Sequence, residues 1–223
     1  MPRIARAVAK GYPHHIIQRG NNREVVFYDD EDKKQYLTLL TTYAEKRDSS
    51  VMAYCLMSNH VHLLIRPLSE ESLSKTMQGT TLCYSQYANR KYGRSGRLWE
   101  SRYHSCIVDH EKYLWAVARY IEQNPVRAGM VKKTEEYPYS SARAHVKGIK
   151  DGVLGEELFS EEQRGDYVQL LRTGMRDEEI GAVRYHTRSG RPLGEEKFIE
   201  SMERKLKRPL VGRPRGRPQK RPE

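Results

Sequence analysis

Met57-Ser58-Asn59-His60-Val61-His62-Leu63-Leu64-Ile65 is the stretch that decides the fold. Read as a strand, its side chains alternate between two faces, so His60 and His62 project from one face with Val61 between them. Val61, Leu63 and Ile65 supply the opposite face and lie against the core. Two imidazoles side by side on a rigid strand suit a metal site or a proton-handling site. The spacing fits equally well two histidines on a half-exposed strand, since metal ligands usually need further donors.

Working outward, Val51 to Leu56 reads as an antiparallel neighbour joined through Ser58-Asn59. Upstream, Tyr12 to Arg19 forms a first strand that ends in the turn cluster Gly20-Asn21-Asn22, with Arg19 and Arg23 at its exit. Asp29 or Asp30 caps a helix running to about Asp48, with Tyr36, Leu37, Leu40, Tyr43 and Ala44 on one stripe. Ser69 and Ser72 open a second helix to about Asn89, with Leu73, Met77, Leu82 and Tyr84 among its apolar positions. Tyr103 to Asp109 is a fourth strand, and His110-Glu111 leads into a helix that Pro125 terminates. The order βαββαβα predicts an α+β fold: a ferredoxin-like (split βαβ) antiparallel sheet with packed helices. A small C-terminal helical region and a disordered basic tail complete it.

The 223 residues are 37% hydrophobic and 31% charged, with a formal net charge of +11. Such a balance points first to nucleic acid, whose phosphates attract Lys and Arg whatever the base sequence. No apolar run reaches membrane-spanning length, and Met1 to Lys10 lacks the apolar core of a secretory signal. Three scattered cysteines, Cys55, Cys83 and Cys106, form no zinc-ribbon spacing and fit a reducing cytoplasm. The expected setting is therefore cytoplasmic and nucleoid-associated, with no membrane and no small-molecule substrate.

Four further stretches bear on chemistry. Arg90-Lys91-Tyr92-Gly93-Arg94-Ser95-Gly96-Arg97-Leu98-Trp99 interleaves aromatics with cations, which suits stacked single-stranded bases or, equally, a solvated loop pinned by Trp99. On the helix before Pro125, Tyr113, Val117, Tyr120 and Asn124 share one stripe, which makes Tyr120 and Asn124 neighbours one turn apart. Either they form a second functional pair, or Tyr120 is a core aromatic and Asn124 a cap. Beyond a boundary at Lys147 to Gly155, residues 148–208 read as a helical accessory region, with a DNA-binding role or as an ordinary appendage. Residues 209–223 end in Pro214-Arg215-Gly216-Arg217-Pro218, which has the form of an AT-hook core. Arg215 and Arg217 would enter a narrow minor groove, or simply hold phosphates.

Together, Met57-Ser58-Asn59-His60-Val61-His62-Leu63-Leu64, Leu98-Trp99-Glu100-Ser101-Arg102-Tyr103 and Arg119-Tyr120-Ile121-Glu122-Gln123-Asn124-Pro125-Val126-Arg127-Ala128-Gly129 resemble the REP-associated tyrosine transposases. These are bacterial relatives of the single-tyrosine HUH transposases. Arg19-Gly20-Asn21-Asn22-Arg23 resembles their opening, and the likeness runs over about residues 10 to 145.

The resemblance implies that residues 1–147 are a transposase domain in which His60 and His62 form the HUH motif. Tyr120 matches the nucleophile and Asn124 the third metal ligand. It implies cleavage and rejoining of hairpin-flanked single-stranded DNA through a 5′-phosphotyrosine, with DNA transposition and recombination as the outcome. An N/O donor set suits Mg²⁺ or Mn²⁺, with Zn²⁺ left open. Arg19, Arg23, Arg90, Lys91, Arg94, Arg97, Arg102 and Arg127 are the candidate DNA contacts, and a monomer is expected over a homodimer. A non-catalytic DNA-binding regulator and a nickase of the replication-initiator or relaxase kind are the competing readings.

Overall fold

The computed structural model describes residues 6–110 and 112–210. The tail arginines Arg215 and Arg217 lie outside these residues. Four strands, β1 (His14–Arg19), β2 (Ser49–Leu56), β3 (His60–Pro67) and β4 (His104–Ile107), make one antiparallel sheet in the order β2-β3-β1-β4. That is the split βαβ arrangement expected from the element order. The helices, in chain order, are α1 (Asp30–Lys46), α2 (Ser72–Lys91), α3 (Leu114–Glu122), α4 (Asn124–Arg127), α5 (Ala142–Lys147), α6 (Arg164–Arg172), α7 (Asp177–Ser189) and α8 (Glu196–Leu206).

Strand β3 sits between β2 and β1, so its backbone is paired on both edges. Its alternation divides the molecule. Val61, Leu63 and Ile65 are fully buried on the side where α1 and α2 pack, and each contributes roughly 1.5–3 kcal/mol of transfer free energy. Helix α1 starts where Asp29 accepts from the Asp32 backbone N–H at 2.9 Å, and buries Tyr36, Leu40 and Ala44. Helix α2 buries Leu73, Met77, Tyr84 and Ala88. Leu82, expected among its apolar positions, is instead exposed. It lies five residues past Met77, about 140° round a helix from that stripe.

The other sheet face carries His15, His62 and Leu64 and is covered by α3 and α7. Helix α3 buries Leu114, Val117, Ala118, Tyr120 and Ile121. Pro125 comes just after α3 stops at Glu122, which is the end expected of that helix. The proline occupies the first turn of α4, where its missing N–H breaks no hydrogen bond, and the chain turns on through Gln123, whose N–H still reaches the Arg119 carbonyl at 2.9 Å. The fourth strand is shorter than expected, His104–Ile107. It stops where the Asp109 N–H pairs with the Leu193 carbonyl rather than with a strand.

Helices α6 and α7 share this core, whereas Met202 of α8 is buried in a separate cluster with Ala7, Ala9, Ile107 and Leu210. Tyr167, Leu171, Val183 and Leu193 are buried in the same hydrophobic cluster as β3. At the C-terminal end of α3 the fully buried Glu122 accepts from Ser141 Oγ (2.6 Å), His145 Nδ1 (2.6 Å) and Tyr167 Oη (2.8 Å). Gln123 Nε2 donates to the Leu171 and Thr173 carbonyls at 2.7 and 2.9 Å. Among the described residues, no helix is long and apolar enough to cross a membrane.

Candidate active site

The antiparallel register sets the site. Ile17 lies opposite His62 and Arg19 opposite His60 on β1, while Cys55 faces His62 from β2. Counting back by two from Arg19 puts His15 on the same face. The His60 and His62 rings meet edge to face with centroids 5.0 Å apart. His62 stacks on His15 at 5.4 Å and 7°, and its Nδ1 lies 3.1 Å from His15 Nε2. Tyr120 stands edge-on to both, 5.5 Å from His15 and 5.4 Å from His62.

One turn further along, Asn124 Nδ2 donates to the Tyr120 and Ile121 carbonyls, each at 3.0 Å. That commits the amide NH₂ to the backbone and leaves the oxygen as the atom Asn124 can offer to the cleft. Arg127 reaches back over Tyr120, its guanidinium carbon 4.6 Å from the ring centroid and one nitrogen 2.6 Å from the Tyr120 carbonyl oxygen.

These groups line a cleft of about 470 Å³. Five arginines, Arg19, Arg23, Arg127, Arg184 and Arg188, border it, against one carboxylate, Glu100. Buried Arg19 Nε and Arg127 Nη1 have no hydrogen-bond partner among the described residues. Unpaired buried donors facing a cationic cleft are suited to anionic oxygens.

The approach is shaped by Arg19-Gly20-Asn21-Asn22-Arg23. A Cβ on Gly20 would sit 2.3 Å from the Glu24 carbonyl oxygen, so only glycine lets the chain double back there. Asn22 and Arg23 both adopt left-handed conformations (φ 50° and 61°), at roughly 1–2 kcal/mol each for such residues. Asn59 Nδ2 holds the turn by donating to the Arg23 carbonyl at 2.8 Å.

Burial keeps the imidazoles neutral. It lowers His60 to about 4, with Arg19 adding to the effect, and His15 to about 3. For His62, burial again dominates, reinforced by His60 and His15, and its pKa falls well below the usual histidine value. Neutral imidazoles have lone pairs to give. His60 Nδ1 lies 2.7 Å from Asn59 Oδ1, an atom that only accepts, so the ring proton is on Nδ1 and Nε2 is bare. Among the described residues, no group of three or more His, Cys, Asp or Glu side chains is placed to hold a metal ion. Two neutral imidazoles and an amide oxygen are nevertheless a donor set that fits a divalent cation with open positions.

A family model described as "Transposase IS200 like" matches residues 9–124, more than half of the chain. The chain belongs to the IS200-like transposase family. A Haemophilus influenzae protein described as a REP-associated tyrosine transposase is 28% identical to this chain over 106 residues, covering 43% of the chain and 60% of that relative. The match thus spans under two thirds of the relative's length. A solved REP-associated tyrosine transposase bound to a REP hairpin superposes with a TM-score of 0.54 at 17% identity. It covers 72% of this chain and 94% of the other, a likeness of fold.

The remaining expected residues separate by place. Arg19, Arg23 and Arg127 join His60, His62, Tyr120 and Asn124 in the cleft. Arg97 and Arg102 border a smaller hollow beside Trp99 and Glu100, and Arg102 also faces a groove that meets the cleft at His104, Thr187 and Arg188. Lys91 instead binds Asp29, Glu31 and Asp32 at 2.8–3.0 Å. Arg94 pairs with Glu24 and Tyr28, and Arg90 is exposed at the end of α2, on the other side of the sheet. With Trp99 buried against Tyr36 and Tyr84, the Arg90 to Trp99 stretch is anchored to the core. His15, Arg184, Thr187 and Arg188 were not foreseen. His15 was legible from the period of two; the α7 residues carry no motif, and only packing brings them to the site.

Proposed function

We propose that this IS200-like transposase cleaves and rejoins hairpin-flanked single-stranded DNA, with Tyr120 as nucleophile. The observation that carries the reading is Tyr120 standing edge-on to the histidine pair within a cleft bordered by five arginines. The Tyr120 phenol oxygen attacks the phosphorus of the scissile phosphodiester and loses its proton. The bond from phosphorus to the 3′ oxygen breaks, giving a free 3′-hydroxyl and a 5′-phosphotyrosine. Because the new ester conserves the energy of the old one, attack by another 3′-hydroxyl reverses the step without ATP.

Phosphoryl transfer asks a protein chiefly for positioning and charge. Arg19, Arg23 and Arg127 offer guanidinium donors to the phosphate, and Arg184 and Arg188 extend that charge along the flanking strand. Arg127 also places a cation against the nucleophile's ring. His60, His62 and Asn124 would hold Mg²⁺ or Mn²⁺, which supplies Lewis-acid polarisation of a non-bridging phosphate oxygen. Residues 1–147 form the transposase domain in this reading. Residues 148–208 are an accessory region that lends α7 to the cleft, and residues 209–223, with Arg215 and Arg217, add contacts to DNA. The chain acts as a monomer.

The test is covalent capture. Protein incubated with labelled single-stranded hairpin oligonucleotides and Mn²⁺ is expected to give a protein–DNA adduct that survives denaturing electrophoresis, and Tyr120→Phe to give none. A regulator that only binds DNA gives no adduct with either protein. A nickase of the initiator kind gives an adduct that does not depend on the hairpin.

A further inference from the structure

We infer that Thr187 on α7, acting through His15, fixes the tautomer of His62 and so is a positioning residue of the site. The inference rests on the proposed role of His62 as a ligand. Thr187, His15 and His62 form a chain of hydrogen bonds whose direction is set at one end. Thr187 Oγ1 lies 2.7 Å from the Val183 carbonyl one turn back on its helix. A carbonyl only accepts, so the hydroxyl proton is committed there and Oγ1 presents lone pairs to the sheet. His15 Nδ1, 2.7 Å away, must be the donor in that contact.

A neutral imidazole carries one N–H. With the His15 proton on Nδ1, its Nε2 is an acceptor and receives a proton from His62 Nδ1 at 3.1 Å. His62 is then left with a bare Nε2, as His60 is through Asn59. Both rings of the motif thus carry the same tautomer, each set by a different neighbour. His15, His62 and Thr187 are all buried, at 1%, 1% and 2% exposure, so water does not compete for these bonds. Cys106 Sγ, 3.5 Å from Thr187 Oγ1, can only add a weak donor to the same oxygen. No carboxylate hydrogen-bonds to His15 or His62 among the described residues, so the hydroxyl sets the order. The link therefore runs from the C-terminal region, across two stacked imidazoles, to the strand at the centre of the sheet.

Thr187→Val keeps the shape and removes the acceptor. His15 is then free to carry its proton on Nε2 and donate to His62 Nδ1, which moves the His62 proton onto the atom facing the cleft. The experiment uses the full chain, metal-free, with ¹⁵N-labelled histidine, and reads each tautomer from long-range ¹H–¹⁵N spectra at neutral pH. Mn²⁺ titration followed by electron paramagnetic resonance accompanies it. Wild type is expected to show His62 protonated on Nδ1. Thr187→Val is expected to shift the proton to Nε2 and weaken Mn²⁺ binding by about ten-fold, as loss of an outer partner of a metal ligand does. Thr187→Ser is expected to restore both.

The inference is overturned by a wild-type His62 protonated on Nε2, or by a Thr187→Val protein in which either the tautomer or the Mn²⁺ affinity is unmoved. Wild-type protein with the expected tautomer but no affinity for Mn²⁺ would remove the ligand role of His62 and leave the tautomer assignment standing, because the spectra need no metal.

Discussion

The two faces of strand β3 use the same backbone to opposite ends. On one, Val61, Leu63 and Ile65 are sealed under α1 and α2. On the other, His60 stays half-buried at the mouth of a cleft, and His62 lies among the rings of His15, His60 and Tyr120. The dry face supplies the stability. The wet face holds imidazoles that burial has left neutral, together with two arginine nitrogens, Arg19 Nε and Arg127 Nη1, that have no hydrogen-bond partner among the described residues. Neither would serve alone, for a strand open on both sides would not hold two rings in register, and one sealed on both would admit no phosphate.

The largest effect that would break this division is on the dry side. Leu63→Ala is expected to lower unfolding stability by about 2–5 kcal/mol, read from urea denaturation, while adduct formation persists wherever the variant is folded. His60→Ala should invert the pattern. Its stability should change by about 1 kcal/mol or less, the worth of a hydrogen bond, while adduct yield falls at least about 100-fold, the upper range for even an outer partner of a metal site.

Acid sharpens the comparison. His14, His15 and His60 have pKa values lowered by burial to about 4, 3 and 4, whereas the unfolded chain takes these protons near 6.5. Between those limits the unfolded state binds more protons, so their contribution is complete above pH 6.5 and is lost as pH falls toward about 4. Urea midpoints measured from pH 7 to 4 should fall accordingly, and the His60→Ala slope should be shallower. The smallest effect belongs to Arg188 at the rim. Arg188→Ala should weaken single-strand binding modestly and reduce the slope of log K against log salt by about 0.7, as loss of one phosphate contact does.

Much of this was legible in advance where local pattern and tertiary role coincide. The alternation at 60–65 gave both faces of β3, the Asp29 cap gave the start of α1, and the stripe through Tyr120 and Asn124 gave a real contact between them. Legibility failed where packing partners decide. Lys91 looked like a free cation, but three carboxylates around the start of α1 surround it. Arg184, Thr187 and Arg188 sit in a helix with no motif, and nothing local says that it docks beside β1 and β4.

The Gln123 clasp on the turn between α6 and α7 has a consequence for genetics. It fastens the segment bearing Tyr120 to the rest of its own polypeptide, beside histidines of that same polypeptide. Two crippled proteins, one lacking the phenol and the other His60, should therefore not rescue each other when mixed, and a strain expressing both should remain as inactive as a strain expressing either.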